Sequence, residues 1–140
     1  MSTAHRRAAA AAIALLAVAL TGCSPDLLIW GPDGARVIDT TEQAIAAASA
    51  DDMTAFACAD SAADFGEPED WRGLSAGEPE GFTADYWPDQ AALEPDWSIN
   101  LEMGGSAEDG RVFPGDLFFR DTDDGLCIVD IAWWTVESTG

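Results

Sequence analysis

The sequence contains no lysine, and its one histidine, His5, lies within the first seven residues. Without these side chains the rest of the chain has no Schiff-base amine, no Ser–His–Asp or Cys–His site and no histidine ligand for zinc. A glycine-rich phosphate loop is missing as well. We therefore predict no catalytic residue and a protein that is not an enzyme. Hydrolysis by a pair of carboxylates is the distant alternative.

Positive charge is scarce. Six arginines face 26 acidic residues, all of which follow Cys23, and the formal net charge is −20. This balance excludes nucleic acid as a partner, because phosphates require Lys and Arg. It permits a cationic small molecule, a metal ion or a basic envelope protein, although a solvated acidic coat is the simpler interpretation. We predict no cofactor and no metal site, since the acidic stretch 121–125 lacks EF-hand spacing and indicates a hairpin turn.

Long hydrophobic runs are also lacking. The apolar run over 8–20 follows Arg6 and Arg7 and is shorter than the roughly 20 residues that cross a bilayer as a helix. It has the dimensions of a secretory signal peptide. Leu20-Thr21-Gly22-Cys23 resembles the lipobox of bacterial lipoproteins. The resemblance implies a signal peptide over 1–22, acylation of Cys23, and one membrane-anchored domain over 23–140 outside the cytoplasm. The alternative is an ordinary signal peptide followed by a chance cysteine.

Cysteine occurs three times. With Cys23 acylated, Cys58 and Cys127 remain in an oxidising compartment, where an even pair predicts a disulfide. Two free thiols are the alternative.

The first half of the mature chain predicts short helices and turns. The apolar run 27–30 indicates a strand or a segment packed on the domain; the alternative is that it rests on the bilayer surface. Gly-Pro-Asp-Gly at 31–34 predicts a turn. A capping-box pattern at 40–43 predicts a helix over 40–50. The adjacent acids Asp51 and Asp52 favour the start of a second helix, over 52–63. Gly, Pro and Glu are frequent over 64–96, where the sequence Gly-Glu-Pro-Glu occurs twice, at 66–69 and 77–80. This composition predicts an acidic loop region.

The second half predicts an antiparallel sheet. Apolar and polar residues alternate over 97–103, and two further strands follow over 111–120 and 126–136. In the last strand, one face would carry Cys127, Val129, Ile131 and Trp133 toward the helices. The fold class is thus α+β, with short N-terminal helices packed on a C-terminal curved sheet and tied by one disulfide. The order of elements over 40–60 and 97–134 resembles small NTF2-like secreted lipoproteins. That resemblance implies a curved sheet around a pocket beneath a long helix.

Three residues are candidates for ligand binding: Asp130, Trp134 and Trp97. Asp130 interrupts an otherwise apolar strand face near Trp134, an arrangement suited to a cation. The favoured alternative is that Asp130 is solvated or pairs with Arg111 or Arg120. The sequence therefore predicts a non-enzymatic binding or interaction module of the cell envelope, with a receptor for small, cationic ligands as the alternative.

Overall fold

The computed structural model describes residues 24–105 and 107–137. Its helices are α1 (Pro25–Ser49) and α2 (Pro68–Trp71), with a 3₁₀ turn at Ala91–Leu93. The strands are β1 (Leu74–Gly81), β2 (Trp97–Met103), β3 (Val112–Thr122) and β4 (Gly125–Thr135). The predicted signal peptide and Cys23 lie outside the described residues. No helix in the described chain has the length and apolarity that a membrane crossing requires.

The four strands form one antiparallel sheet in the order β1-β2-β3-β4. The α+β class is therefore confirmed, and so are the three predicted strands. Strand β2 has the predicted bounds, and the ends of β3 and β4 differ from the prediction by one or two residues. The alternation of apolar and polar residues predicted these strands because every second side chain of a strand enters the core.

Helix α1 packs on one face of the sheet, which we call the helix face. The core cluster there joins five α1 residues to Trp71 and to side chains of all four strands, among them Ile99, Leu117, Phe119 and Ile128. A smaller cluster of Cys58, Phe118 and Val129 covers part of the opposite face, which we call the far face, together with Phe82, Trp87 and Leu93 from the loop before β2. The two clusters leave the rest of the far face for the candidate site.

One long helix replaces the predicted turn at 31–34 and the predicted start of helix at residue 40. Ser24 caps α1 by accepting from Leu27 N through Oγ at 3.2 Å. Gly31 breaks the helix with φ 71° and ψ 178°, and Pro32 restarts it, because proline is pre-organised for a first helical position. Thr40, the predicted cap, lies inside α1, and its hydroxyl donates to the Arg36 carbonyl one turn earlier, at 2.9 Å.

The predicted second helix over 52–63 is wrong. Asp51 adopts a left-handed φ of 68° and ends α1, as a residue just beyond a helix often does. The following chain runs parallel to the outer edge of β4: Ile128 N donates to Phe56 O at 2.7 Å and Cys58 N to Ile128 O at 3.0 Å. Pairing with an open sheet edge thus replaces local helical hydrogen bonds.

The predicted loop over 64–96 contains α2 and the edge strand β1. Strand β1 was missed because Pro79 and two glycines break its apolar alternation. Proline is tolerated at a sheet edge, where its missing N–H faces away from the ladder. Glu42 of α1 covers the same edge by accepting from Ala76 N at 2.8 Å.

The predicted faces of the last strand are also wrong, because β4 contains a bulge. Phe118 pairs with Asp130 and Phe119 with Ile128, so Val129 is the extra residue. A bulge reverses the alternation beyond it. Ile131 and Trp133 therefore pack on the helix face, whereas Cys127 and Val129 belong to the far-face cluster.

The predicted disulfide is confirmed. Cys58 and Cys127 are bonded, with their Cα atoms 4.8 Å apart and a sequence separation of 69. The bridge lies in the far-face cluster rather than toward α1.

Candidate functional site

A cleft opens where the middle of the sheet divides. Strands β2 and β3 pair as far as Asn100 and Asp116, and beyond that point β2 continues with β1 while β3 continues with β4. The gap holds a cavity of about 390 Å³, and a second of about 200 Å³ adjoins it. Together they form what we call the cleft. Its volume lies in the range of small-molecule sites.

The lining of the cleft is aromatic and acidic. Aromatic side chains come from Trp87, Phe113 and Trp134, and acidic side chains from Glu78, Glu80 and Asp116. Neither of the two salt bridges between described residues, Arg36–Asp121 and Arg120–Asp60, involves these acids. The cleft therefore combines apolar surface with negative charge that no described arginine neutralises.

Trp134 and Asp116 are held together by a bulge at Gly115. Pro114 pairs with Trp133 and Asp116 with Ala132, so Gly115 is the extra residue of β3. The indole ring of Trp134 lies directly on this glycine, where an added Cβ would be 1.5 Å from Trp134 Cδ1. From that position Trp134 Nε1 donates to Asp116 Oδ2 at 2.6 Å. Gly115 is therefore required for the aromatic wall to reach the carboxylate.

The environment of Asp116 disfavours its negative charge. Burial raises the pKa of this carboxyl above its ordinary value, the hydrogen bond from Trp134 lowers it in part, and the charge of Glu80 raises it further. A carboxylate in such surroundings has lost hydration without gaining a cationic partner. A cation in the cleft would supply that partner.

The β1 side of the cleft is shaped by a second bulge. Ala76 pairs with Leu101 and Pro79 with Ile99, which leaves one extra residue between them. Asn100 fills the space above Gly77, where a Cβ would be 2.4 Å from Asn100 Nδ2. Asn100 Oδ1 in turn accepts from Glu78 N at 2.8 Å. This contact fixes the stretch of β1 that presents Glu78 and Glu80.

Trp87 connects the cleft to the core. Its ring meets that of Phe118 edge-on, with centroids 4.9 Å apart, a geometry that aromatic pairs favour. The turn that carries it is closed by Trp87 N donating to Thr83 O at 3.2 Å. The aromatic wall on this side is therefore anchored by buried packing.

The three ligand-binding candidates from the sequence do not meet in one place. Trp134 lines the cleft, whereas Trp97 packs against the helix-face cluster. Asp130 lies opposite Phe118 in the β3–β4 ladder and accepts from Gln90 Nε2 at 3.2 Å. A role for Asp130 and Trp97 in binding stays a prediction.

The two arginines considered as partners of Asp130 bind elsewhere. Arg120 pairs with Asp60, and Arg111 donates to the Asp70 and Arg72 carbonyls at 3.2 and 2.9 Å.

Sequence reasoning missed Asp116, Glu80 and Trp87. Two sequence features lie near these residues. Pro114-Gly115 interrupts a predicted strand just before Asp116, and the second Gly-Glu-Pro-Glu sequence includes Glu78 and Glu80. Neither feature shows that β2 and β3 separate at that level, which is what creates the cleft.

The acidic stretch 121–125 forms the turn between β3 and β4. Thr122 pairs with Gly125 and donates to its carbonyl at 2.8 Å. Across residues 24–105 and 107–137, no three His, Cys, Asp or Glu side chains are grouped so that they could hold a metal ion.

No family model matches the chain, and neither a curated protein nor a solved structure is significantly similar to it.

Proposed function

We propose that this chain is a lipid-anchored, extracytoplasmic and non-enzymatic binding protein whose cleft takes a cationic group. The observation that carries the proposal is the environment of Asp116. Its carboxylate is partly buried beside Glu80, bonded to the Trp134 indole, and unpaired with any described arginine. This favours a receptor for a small cationic ligand over an interaction surface for an envelope protein.

Electrostatics and the aromatic wall act together on a bound cation. Two unit charges 4 Å apart attract by about 4 kcal/mol at the effective dielectric near a protein surface. A cation over an indole face gains about 0.5–2 kcal/mol more. Trp134 and Trp87 both line the larger cavity with Asp116. An ammonium or guanidinium group between these side chains would gain from both effects, which a neutral ligand would not.

The proposed anchor is carried by the lipobox-like Leu20-Thr21-Gly22-Cys23. A doubly or triply acylated cysteine holds a protein at a bilayer stably, whereas a single chain does so only marginally. The anchor would keep the binding cleft outside the cytoplasm and close to the membrane. Replacement of Cys23 by serine should release the protein from the membrane fraction, and retention there would contradict the anchor.

An NTF2-like relationship remains part of the proposal. A long N-terminal helix against an antiparallel meander supports it. One feature departs from what the resemblance implies, because the space between α1 and the sheet is filled by the helix-face cluster. The cleft proposed for binding opens at the division of the sheet, not beneath the helix.

A titration with choline and its neutral carbon analogue, in which carbon replaces the nitrogen, tests the proposed binding. The two probes have nearly the same shape, so a difference in affinity reports the charge. We expect choline to bind and the analogue to bind at least roughly tenfold more weakly, by the Coulomb term above. Isothermal titration of the chain purified from its membrane fraction measures both. Equal affinities, or no binding of either probe, would contradict a cationic site.

Two variants with the same change of charge locate the site. Asp116→Asn removes the carboxylate in the cleft and should weaken choline binding roughly tenfold. Asp123→Asn removes one negative charge from the exposed turn after β3 and should leave binding within a factor of two, since exposed charges are screened. Equal losses in both variants would mean that overall charge, not the cleft, attracts the probe.

Hydrolysis by carboxylates is the second candidate, and the raised pKa of Asp116 next to Glu80 favours it. A general acid with a raised pKa close to a second carboxyl group is the arrangement that glycoside hydrolysis uses. Under this alternative the protein releases the chromophore from aryl glycosides, and Asp116→Asn abolishes turnover while ligand binding persists. No release across a panel of such substrates would leave the binding function alone.

A further inference from the structure

A small apolar ridge projects from the first turn of α1. Leu27, Leu28 and Ile29 are 39, 75 and 68% exposed, which is unusual for three consecutive large aliphatic side chains in water. Trp30, the next residue, packs against the helix-face cluster. The turn is therefore fixed to the domain at one end while the ridge points away from it.

The ridge is held as a distinct structural unit. Gly31, at φ 71°, separates the turn from the rest of α1. A Cβ on Gly34 would be 2.7 Å from Trp30 Cβ and 3.5 Å from Pro79 Cγ, so the turn folds closely against α1 and the edge of β1. Its direction is thus set by packing that involves Trp30 and not by the exposed side chains.

The charge around the ridge differs from the remainder of the mature chain. Asp26 is the one charged residue between Cys23 and Pro32, whereas acidic residues recur throughout the rest of the mature sequence. Over 24–31 a basic protein surface would find a single complementary charge, that of Asp26, and an acidic surface would find none. A lipid surface needs none, because burial of apolar area drives insertion.

We propose that Leu27, Leu28 and Ile29 insert into the lipid surface of the membrane that anchors the chain, as a second contact that orients the domain. The inference rests on the proposed acylation of Cys23. Leu27 follows that cysteine by four residues, which span at most about 14 Å of extended chain. Interfacial helices bury their apolar faces about 5–10 Å deep. An acyl chain on Cys23 would therefore keep the ridge within reach of the bilayer surface.

A spin label on the ridge tests the insertion. In the acylated protein all three native cysteines are occupied, by lipid or by the disulfide, so an introduced thiol is the one site for labelling. We would label Ile29→Cys in the acylated mature chain, reconstitute it in phosphatidylcholine vesicles, and measure collision rates with oxygen and with a water-soluble nickel complex. We expect high oxygen accessibility and a loss of nickel accessibility.

Matched labels and a mass measurement make the result decisive. Tyr86→Cys and Val112→Cys carry the label at positions that are 78 and 49% exposed elsewhere on the domain, and both should remain accessible to nickel. Leu28→Cys repeats the test one residue earlier. An Ile29 label as accessible to nickel as the Tyr86 label, in a protein whose mass confirms acylation, would overturn the insertion and leave the anchor standing. An unmodified mass at Cys23 would overturn both.

Discussion

Replacing Gly115 by alanine tests the geometry of the cleft with one methyl group. The added Cβ would be 1.5 Å from Trp134 Cδ1, whereas carbon atoms in contact need about 3.5 Å. The indole ring must therefore move by about 2 Å. That movement breaks the 2.6 Å hydrogen bond from Trp134 Nε1 to Asp116 Oδ2.

The expected cost follows from the exposure of that hydrogen bond. A hydrogen bond to a charged group contributes about 1.5–3 kcal/mol when it is shielded from water. Trp134 is 48% exposed, so water replaces part of the loss and we expect about 1–2 kcal/mol. Alanine also stabilises by about 0.4–1 kcal/mol through the unfolded chain. A second glycine-to-alanine variant cancels this effect.

Gly81→Ala is that control, because its added Cβ meets no atom within 4 Å. Urea unfolding followed by circular dichroism should place Gly115→Ala about 1–2 kcal/mol below Gly81→Ala. The indole N–H resonance of Trp134 should shift in Gly115→Ala and stay in place in Gly81→Ala. Equal stability of the two variants with an unmoved Trp134 resonance would refute the contact between the ring and Gly115.

Two further predictions concern stability. Replacing Cys58 and Cys127 together by serine should lower the free energy of unfolding by about 4 kcal/mol, as measured in urea, because the bridge closes a 69-residue interval; a loss below about 1 kcal/mol would contradict this mechanism. Asp116→Asn should be more stable than the parent at pH 7 and equal to it at pH 3. The raised pKa of Asp116 means that the folded state loses stability as pH rises from the ordinary Asp range through that pKa. Thermal melts at both pH values measure the difference, and a less stable variant at pH 7 would disprove the sign.

Strands with one buried face could be predicted from the sequence, and the edge strand could not. In β2, Ile99 and Leu101 enter the helix-face cluster, which the alternation with Ser98 and Asn100 records directly. In β1, Pro79 is buried although its neighbours Glu78 and Glu80 are exposed. This strand forms because its backbone pairs with β2. The pattern of apolar residues within β1 alone does not indicate that pairing.

The failed helix over 52–63 has a similar physical cause. Met53 and Phe56 share a helical spacing, and both do pack against the helix-face cluster. A chain of turns achieves the same burial while the backbone from Phe56 to Ala62 satisfies the open edge of β4. Tertiary pairing thus overrode the helical interpretation of the spacing.

The sequence and the structure place different acids beside Trp134. An acid beside Trp134 was expected, but the sequence pointed to Asp130 because the two are close in β4. In the structure Asp116 of the neighbouring strand is bonded to Trp134 instead. The bulge residues Gly115 and Val129 set these positions. A bulge shifts the alternation by one residue, and in β4 that shift is hidden because both predicted faces are mostly apolar.

The most direct test of the cationic cleft is a choline titration followed by the indole N–H resonances of the protein. We predict that Trp87 and Trp134, which line the cleft, shift and saturate together. Trp71, which is buried and donates to the Phe65 carbonyl at 2.7 Å, should not move. In Asp116→Asn the shifts should need a markedly higher concentration. Unchanged Trp87 and Trp134 resonances at saturating choline would contradict the account.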